Sequence, residues 1–286
     1  TYNLFTNTLP KMGIEVRFAD TTDPVSFKKL SDQRTRAYFG ETLPNPKLVP
    51  FPIGEVAEIG IQKGIPLIVD NTAAPLTCRP FEHGAAIIVH SLTKFIGGHG
   101  TSVGGAIIDG GTFDWVGHPA QQPHFNKPDG SYHGAIWGTL VPEVLGAPIA
   151  YAIRARVVLL RDLGAALSPT NAFHLIQGLE TLPLRFREHQ KNAAQLADYL
   201  AKHEAVASVI YPQLFTGTEK SLADKYLKTG QGALIGIELK GGADAGRKFI
   251  DQLKLIYHVA NIGDARTLAI HPASTTHSQL SAEDQL

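Results

Sequence analysis

The chain has 286 residues, 43% of them apolar and 18% charged, with 26 Lys and Arg against 26 Asp and Glu. That composition describes a globular chain able to bury a large core and excludes a disordered one. Balanced charge leaves no footprint for nucleic acid or an anionic membrane, and no apolar run reaches the length of a membrane span. The length suits one large domain or two smaller ones. The single cysteine, Cys78, has no partner for an internal disulfide, which permits a reducing, cytoplasmic home.

In chain order, residues 2–12 read as a weak helix and 14–18 as a strand. Residues 36–41 read as a strand and 54–63 as an amphipathic helix. The short apolar runs 65–69 and 85–89 are bounded by Gly, Pro and Asn, as expected of strands covered on both faces. A third run follows at 103–108. Helix and strand alternate, which predicts an α/β domain with a mostly parallel sheet. Residues 110–146 then change character, with Phe113, Trp115, Phe125, Tyr132 and Trp137 scattered among Gly, Pro, His and Asp. This reads as a long irregular insertion, and such insertions are often functional.

Ser168-Pro169 is a helix start, serine as N-cap and proline at the first position. Phe173, Ile176 and Leu179 recur at helical spacing, and Pro183 is expected to break or kink the run. A second helix is predicted to follow, with Ala193, Leu196 and Leu200 on one face. Strands are predicted at 206–211 and 233–239, a helix at 245–253, and strands near 256–260 and 268–270. The tail therefore reads as a smaller α+β domain. The boundary is placed near residue 165, giving parts 1–165 and 166–286.

The chemistry concentrates in two stretches. In IPLIVDNT, Asp70 closes a buried strand, and ligands of open α/β sheets sit outside the carboxyl ends of strands. The carboxylate either meets a ligand there or caps the next turn. In HSLTKFIGGHG, Lys94 follows a second apolar strand, flanked by the hydroxyls of Ser91 and Thr93 and by a glycine-rich turn. Lys94 is either a solvated loop charge or a reagent, because a lysine with a depressed pKa becomes a nucleophile. Together these residues match the partner list of pyridoxal phosphate. An acid pairs with the ring nitrogen, hydroxyls meet the phosphate, and a lysine bonds the aldehyde.

The segment VDNTAAPLTCRPFEHGAAIIVHSLTKFIGGHGTSVGGAI strongly resembles the trans-sulfuration (Cys/Met metabolism) enzymes that use pyridoxal 5′-phosphate. The resemblance continues through LSPTNAFHLIQGLETLPLR and HPASTTHSQL and covers essentially the whole chain. FNKPDGSYHG and NIGDARTLAIHPASTTH look most like the O-acetylhomoserine sulfhydrylase branch. The resemblance implies a fold-type-I α/β architecture with a large cofactor-binding domain and a smaller C-terminal one. It implies that Lys94 bonds the cofactor and later shuttles protons, and that Asp70 keeps the pyridine nitrogen protonated. It further implies that Ser91 and Thr93 contact the phosphate, that Asn45 lies near the cofactor's phenolic oxygen and the substrate carboxylate, and that Asn261 helps hold that carboxylate. The implied reaction is γ-replacement on O-acetylhomoserine by sulfide or a thiol, giving homocysteine or methionine and acetate. Methionine γ-lyase, cystathionine γ-synthase and cystathionine γ-lyase share the scaffold and stay open as alternatives, as does a non-catalytic scaffold. A homotetramer with sites at the dimer interface is implied too.

Several elements of the family pattern are not in the sequence. They are the aromatic residue that stacks on the cofactor, the glycine turn for the phosphate, and the arm that reaches a neighbouring site. The arginine that clamps the substrate carboxylate is expected beyond Leu286. The sequence is therefore expected to be a central and C-terminal portion carrying part of the site.

Other motifs read blandly. GQGALIG spaces its third glycine wrongly for a dinucleotide fingerprint, and in GGHGTSVGG the lysine precedes the glycines, unlike a P-loop. The latter is expected to form a tight turn. His99, His118, His124 and His133 lack metal-ligand spacing, so no metal is expected. Cys78 is expected to be a packed small residue.

Overall fold

The computed structural model describes residues 1–275. Residues 276–280 of the HPASTTHSQL motif lie outside them. The central sheet has four strands, β1 (Tyr38–Glu41), β2 (Leu67–Asp70), β3 (Ile87–Ser91) and β4 (Gly105–Asp109), in that spatial order. The first three pair in parallel and β4 runs antiparallel to β3. The predicted runs 36–41, 65–69, 85–89 and 103–108 each overlap one of these strands. Side chains alternate between the two faces. Leu67 and Val69 join the core formed with helix α2 (Ile53–Lys63), whereas Ile68 and Val89 pack on the opposite side. Coverage on both faces explains why these strands are continuous apolar runs rather than alternating ones.

The cover on the second face comes from the insertion, which is more ordered than expected. It holds α3 (Pro123–Asn126) and α4 (Trp137–Leu145), followed by α5 (Ala150–Arg154) and α6 (Arg161–Leu163). Phe113, Trp115, Phe125 and Trp137 form a buried aromatic cluster, with ring centroids 4.7 Å apart for Phe113–Trp115 and 4.3 Å for Trp115–Phe125. Asp129 fixes it by accepting the indole N–H of Trp137 at 2.9 Å. In this chain the aromatics pack, since their edge and tilted contacts place ring area where water would otherwise sit.

One expectation fails at the elements themselves. Residues 14–18 form no strand, because no neighbouring strand among the described residues takes their backbone hydrogen bonds, and Ile14 and Phe18 are exposed. Residues 2–12 are helical, as expected, though irregular, with a π-helical stretch at Leu4–Thr8 and a 3₁₀ turn at Pro10–Met12. A helix that was not anticipated, α1 (Pro24–Leu30), starts at Asp23, whose side chain accepts the N–H of Val25 with Pro24 at the first position. That is the same start signal read correctly at Ser168-Pro169, where the Ser168 hydroxyl accepts the N–H of Asn171 at 3.2 Å.

That second start opens α7 (Pro169–Leu200), one unbroken helix of 32 residues rather than two. Pro183 removes one donor from the ladder, but it sits on the exposed side of the helix, where the freed carbonyl is not buried against other elements. The buried stripe also differs from the predicted one. Phe173, Ile176 and Leu179 are 58%, 58% and 52% exposed, and Leu175, Gly178, Leu182 and Phe186 face inward instead. Gly178 decides this, because a Cβ there would meet the carbonyl oxygens of Ile96 and Gly97 at 2.4 and 2.5 Å. A pattern that counts apolar side chains overlooks a face whose contact depends on having none. In the second half Ala193 and Ala197 are buried, whereas Leu196 is exposed.

Beyond α7, β5 (Val206–Ile210) and β6 (Gly236–Leu239) form an antiparallel pair. Helices α8 (Gly217–Tyr226) and α9 (Gly242–Asp251) follow β5 and β6 respectively, and β7 (Tyr257–His258) pairs in parallel with β8 (Leu268–Ala269). Helix α8 packs into the first core, where Ala223, Tyr226 and Leu227 join α2 and β2. The Tyr226 hydroxyl accepts the N–H of Gly54 at 2.9 Å and donates to Glu55 at 2.5 Å, and Lys225 pairs with Glu55 at 2.6 Å. Packing is thus continuous across residue 165.

Candidate active site

The site grows from the carboxyl ends of β2 and β3. Their parallel register pairs Asp70 with Val89, so Asp70 and Ser91 finish neighbouring strands. Alternation puts Asp70 and Ser91 on the face of Ile68 and Val89, above the aromatic cluster. One oxygen of Asp70 accepts the N–H of Thr72 at 2.9 Å, the turn-capping role. The other oxygen has no hydrogen bond among the described residues, so the carboxylate caps the turn and still offers an acceptor. Thr72 ties the two strand ends together, its hydroxyl accepting the N–H of Ser91 at 2.8 Å. Behind it Asn71 is buried, bonded to the Thr42 hydroxyl at 2.8 Å and to the Cys78 carbonyl at 3.1 Å. Neither Asn71 nor Thr72 stood out in the sequence, although both directly follow Asp70.

Lys94 lies in the turn after β3. The turn closes on itself through bonds from Lys94 N–H to the Ser91 carbonyl, Gly97 N–H to the Leu92 carbonyl, and Gly98 N–H to the Lys94 carbonyl. Its glycine-rich continuation, expected as a tight turn, is instead bent and irregular backbone from Gly98 to Gly104. Thr93 fastens it to the approach to β4, its hydroxyl accepting the N–H of Gly104 at 3.1 Å. The Thr93 hydroxyl is therefore engaged with backbone, whereas that of Ser91 has no bond among the described residues.

The Lys94 ammonium is half-buried and donates to the Asn261 side-chain oxygen at 2.7 Å. No carboxylate pairs with it among the described residues. Burial lowers its pKa below the ordinary lysine value of 10.5, because the charged form loses hydration without gaining a counter-ion. Asn261 arrives from a loop that grips the same turn a second time, through the N–H of Ala265 on the Gly98 carbonyl at 2.7 Å. Within that loop Asp264 is buried and held below the usual carboxylate range by Arg266, which it meets at 3.0 Å. Of the residues singled out in the sequence, the structure joins Lys94 to Asn261 directly, and Asp70 to Ser91 through Thr72. Asn45 is exposed on the loop after β1 and makes no hydrogen bond to these residues.

A test follows from the Lys94 surroundings. Only the neutral amine attacks an aldehyde, and burial brings that form in at lower pH than in free lysine. The rate at which cofactor-free whole protein takes up pyridoxal 5′-phosphate is therefore expected to rise with pH through a midpoint below 10.5. Stopped-flow absorbance across a pH series reads it, and a midpoint at or above that value contradicts the burial argument.

The other candidates behave as packing or surface. Cys78 is buried, and burial, with a smaller push from Glu82, raises its thiol to about 12, which leaves it a poor nucleophile. No group of three His, Cys, Asp or Glu side chains suited to a metal occurs among the described residues. No helix among them is long and apolar enough to cross a membrane.

The donor set fits pyridoxal 5′-phosphate. A lysine amine biased to its neutral form suits an aldehyde, an unoccupied carboxylate oxygen suits a ring N–H, and the Ser91 hydroxyl suits a phosphate. Comparison with known proteins points the same way. The sequence profile of the family described as Cys/Met metabolism PLP-dependent enzyme matches residues 1–286. The O-acetyl-L-homoserine sulfhydrylase of Leptospira meyeri is 49% identical over 292 aligned residues, covering 100% of this chain and 65% of the relative. The homocysteine synthase of Schizosaccharomyces pombe is 45% identical, covering 100% and 66%. A crystal structure from Campylobacter jejuni, assigned as an O-acetylhomoserine (thiol)-lyase and holding a pyridoxyl-lysine monophosphate, superposes with a TM-score of 0.91 at 40% identity. It is covered to 66% by 99% of this chain. The chain thus spans just under two thirds of the length of these relatives.

Proposed function

Because the chain belongs to the Cys/Met metabolism PLP-dependent enzyme family, we propose that the protein catalyses γ-replacement on O-acetylhomoserine. Sulfide or a thiol is the second substrate, and homocysteine (or methionine) and acetate are the products. The observation that carries this reading is Lys94, a half-buried amine with no carboxylate partner among the described residues, held by Asn261 beyond the strand end of Ser91. The names of the relatives support the choice of substrate.

Bound pyridoxal 5′-phosphate supplies a conjugated electron sink for charge developing at the substrate Cα. Lys94 would hold the cofactor at its aldehyde carbon and would take and return protons on the substrate carbon chain. Asp70, through its unoccupied oxygen, would accept the ring N–H and keep that nitrogen protonated. Ser91 donates to the phosphate, and Thr93 supports the phosphate side by holding its turn to Gly104. Asn261 keeps the Lys94 amine within reach of the reacting carbons, and with Asn45 it faces the substrate carboxylate. The exchange balances without any oxidant or reductant, since the Cγ–O bond to acetate breaks and a Cγ–S bond forms.

On this reading residues 1–165 belong to the cofactor-binding domain and 166–286 to the C-terminal domain. The enzyme is a cytoplasmic homotetramer with its sites at the dimer interface. The exposed apolar face of α7, with Phe173, Ile176 and Leu179, supports an assembled surface. The test is product analysis of the whole protein loaded with cofactor. Equal amounts of homocysteine and acetate, formed only when sulfide is present, are expected. Release of ammonia and a keto acid without sulfide would make it a γ-lyase instead.

A further inference from the structure

Arg185 is a cation without a counter-ion among the described residues. It sits part-buried on the inner side of α7, and no carboxylate pairs with it among the described residues. Its guanidinium instead gathers backbone carbonyls, donating to Phe95 at 2.9 Å, Ile96 at 3.0 Å and Gly178 at 2.7 Å, while its Nε donates to the Thr181 hydroxyl at 3.1 Å. Phe95 and Ile96 are the two residues directly after Lys94. The turn therefore has carbonyls that its own tight hydrogen bonding leaves unpaired, and one planar fork from α7 satisfies them.

Two glycines make the approach possible. Gly98 has φ +72°, and a Cβ on it would fall 2.2 Å from the Arg185 guanidinium. Gly178 brings the helix backbone against the same turn, as described above. Phe186, the next residue on α7, sets its ring edge-on to Phe95 at 5.1 Å. Helix, arginine and aromatic pair thus converge on the three residues that follow Lys94, and Ile262 of the Asn261 loop packs against the same aromatic pair.

We propose that Arg185 is a positioning residue for Lys94, one that clamps the backbone of the reactive turn against α7 and so sets the depth and direction of the lysine amine. Arg185 touches no reacting atom; it acts through the carbonyls of Phe95 and Ile96. A lysine at this position offers a compact ammonium that cannot fork across three carbonyls. The proposal rests on the reading of Lys94 as the lysine that bonds the cofactor.

The experiment uses the whole protein loaded with pyridoxal 5′-phosphate, as wild type, Arg185→Lys, Arg185→Met and Gly178→Ala. Borohydride reduction and peptide mapping test the underlying reading, and the wild type is expected to carry its adduct on Lys94. The pH titration of the bound cofactor's visible absorbance then reports the surroundings of the Lys94 nitrogen. Slackening the turn admits water and relieves the penalty on the protonated form, so the midpoint should rise by about half a pH unit or more in Arg185→Lys. Its kcat should fall by about tenfold with KM little changed, because geometry rather than binding is lost. Gly178→Ala, which pushes the Ile96 and Gly97 carbonyls of the same turn from the same helix, should move the midpoint the same way. A folded Arg185→Lys protein with wild-type midpoint and kcat would overturn the proposal, whether or not Arg185→Met folds. A wild type with no adduct on Lys94 would overturn the reading beneath it, and the proposal too.

Discussion

Lys94→Ala in the whole protein is expected to lower turnover by about a thousandfold or more, because one amine both holds the cofactor and moves the protons. The fold should survive, since the side chain's hydrogen bond is to Asn261 and the turn's own bonds use backbone. On the proposed roles of Asp70 and Ser91 the cofactor should still bind, but borohydride should no longer fix it to the chain. Thermal unfolding, cofactor retention on gel filtration and steady-state turnover together separate this from simple misfolding. A Lys94→Ala protein that kept full turnover would remove Lys94 from the chemistry.

Phe186→Ala should cost about 3–5 kcal/mol of stability, the range for truncating a buried aromatic without collapse around it. Phe186 is 0% exposed and packs with Leu182 against Phe95, at the point where α7 meets the turn. The surroundings have little freedom to close the cavity. Leu182 is on the same helix, and the backbone of the turn is held by Arg185 and by Ala265. Denaturant unfolding reads the loss. The variant should also lose kcat at temperatures where it stays folded, because the cavity lies under the residue next to Lys94. A cost below about 1 kcal/mol would mean that the turn collapses onto the helix, and that its position depends less on this packing than the structure implies.

Legibility differed by the range of the interaction that decides each feature. The parallel strands were readable from short apolar runs, because a strand covered on both faces must be apolar throughout. The start of α7 was readable because a serine N-cap and a first-turn proline act within three residues. The matching Asp23-Pro24 signal carried the same information for α1 and was passed over. The predicted strand at 14–18 failed for the opposite reason, since a strand exists only when another pairs with it.

The sequence by itself determined the α/β class and the strand ends that carry Asp70 and Ser91, and it marked Lys94 as a candidate reagent. Those follow from residue type, hydrophobic run and local turn chemistry, all of which act over a few residues. Tertiary structure alone decided that Asn261 meets the Lys94 amine, 167 residues away in the chain. It also decided that Arg185, 90 residues beyond Phe95, donates to the Phe95 carbonyl of the turn. It turned α7 so that Gly178, rather than Phe173 or Ile176, faces inward. Each of these depends on how closely two backbones approach, which is set by the packed volume between distant elements and leaves no periodic mark in the chain.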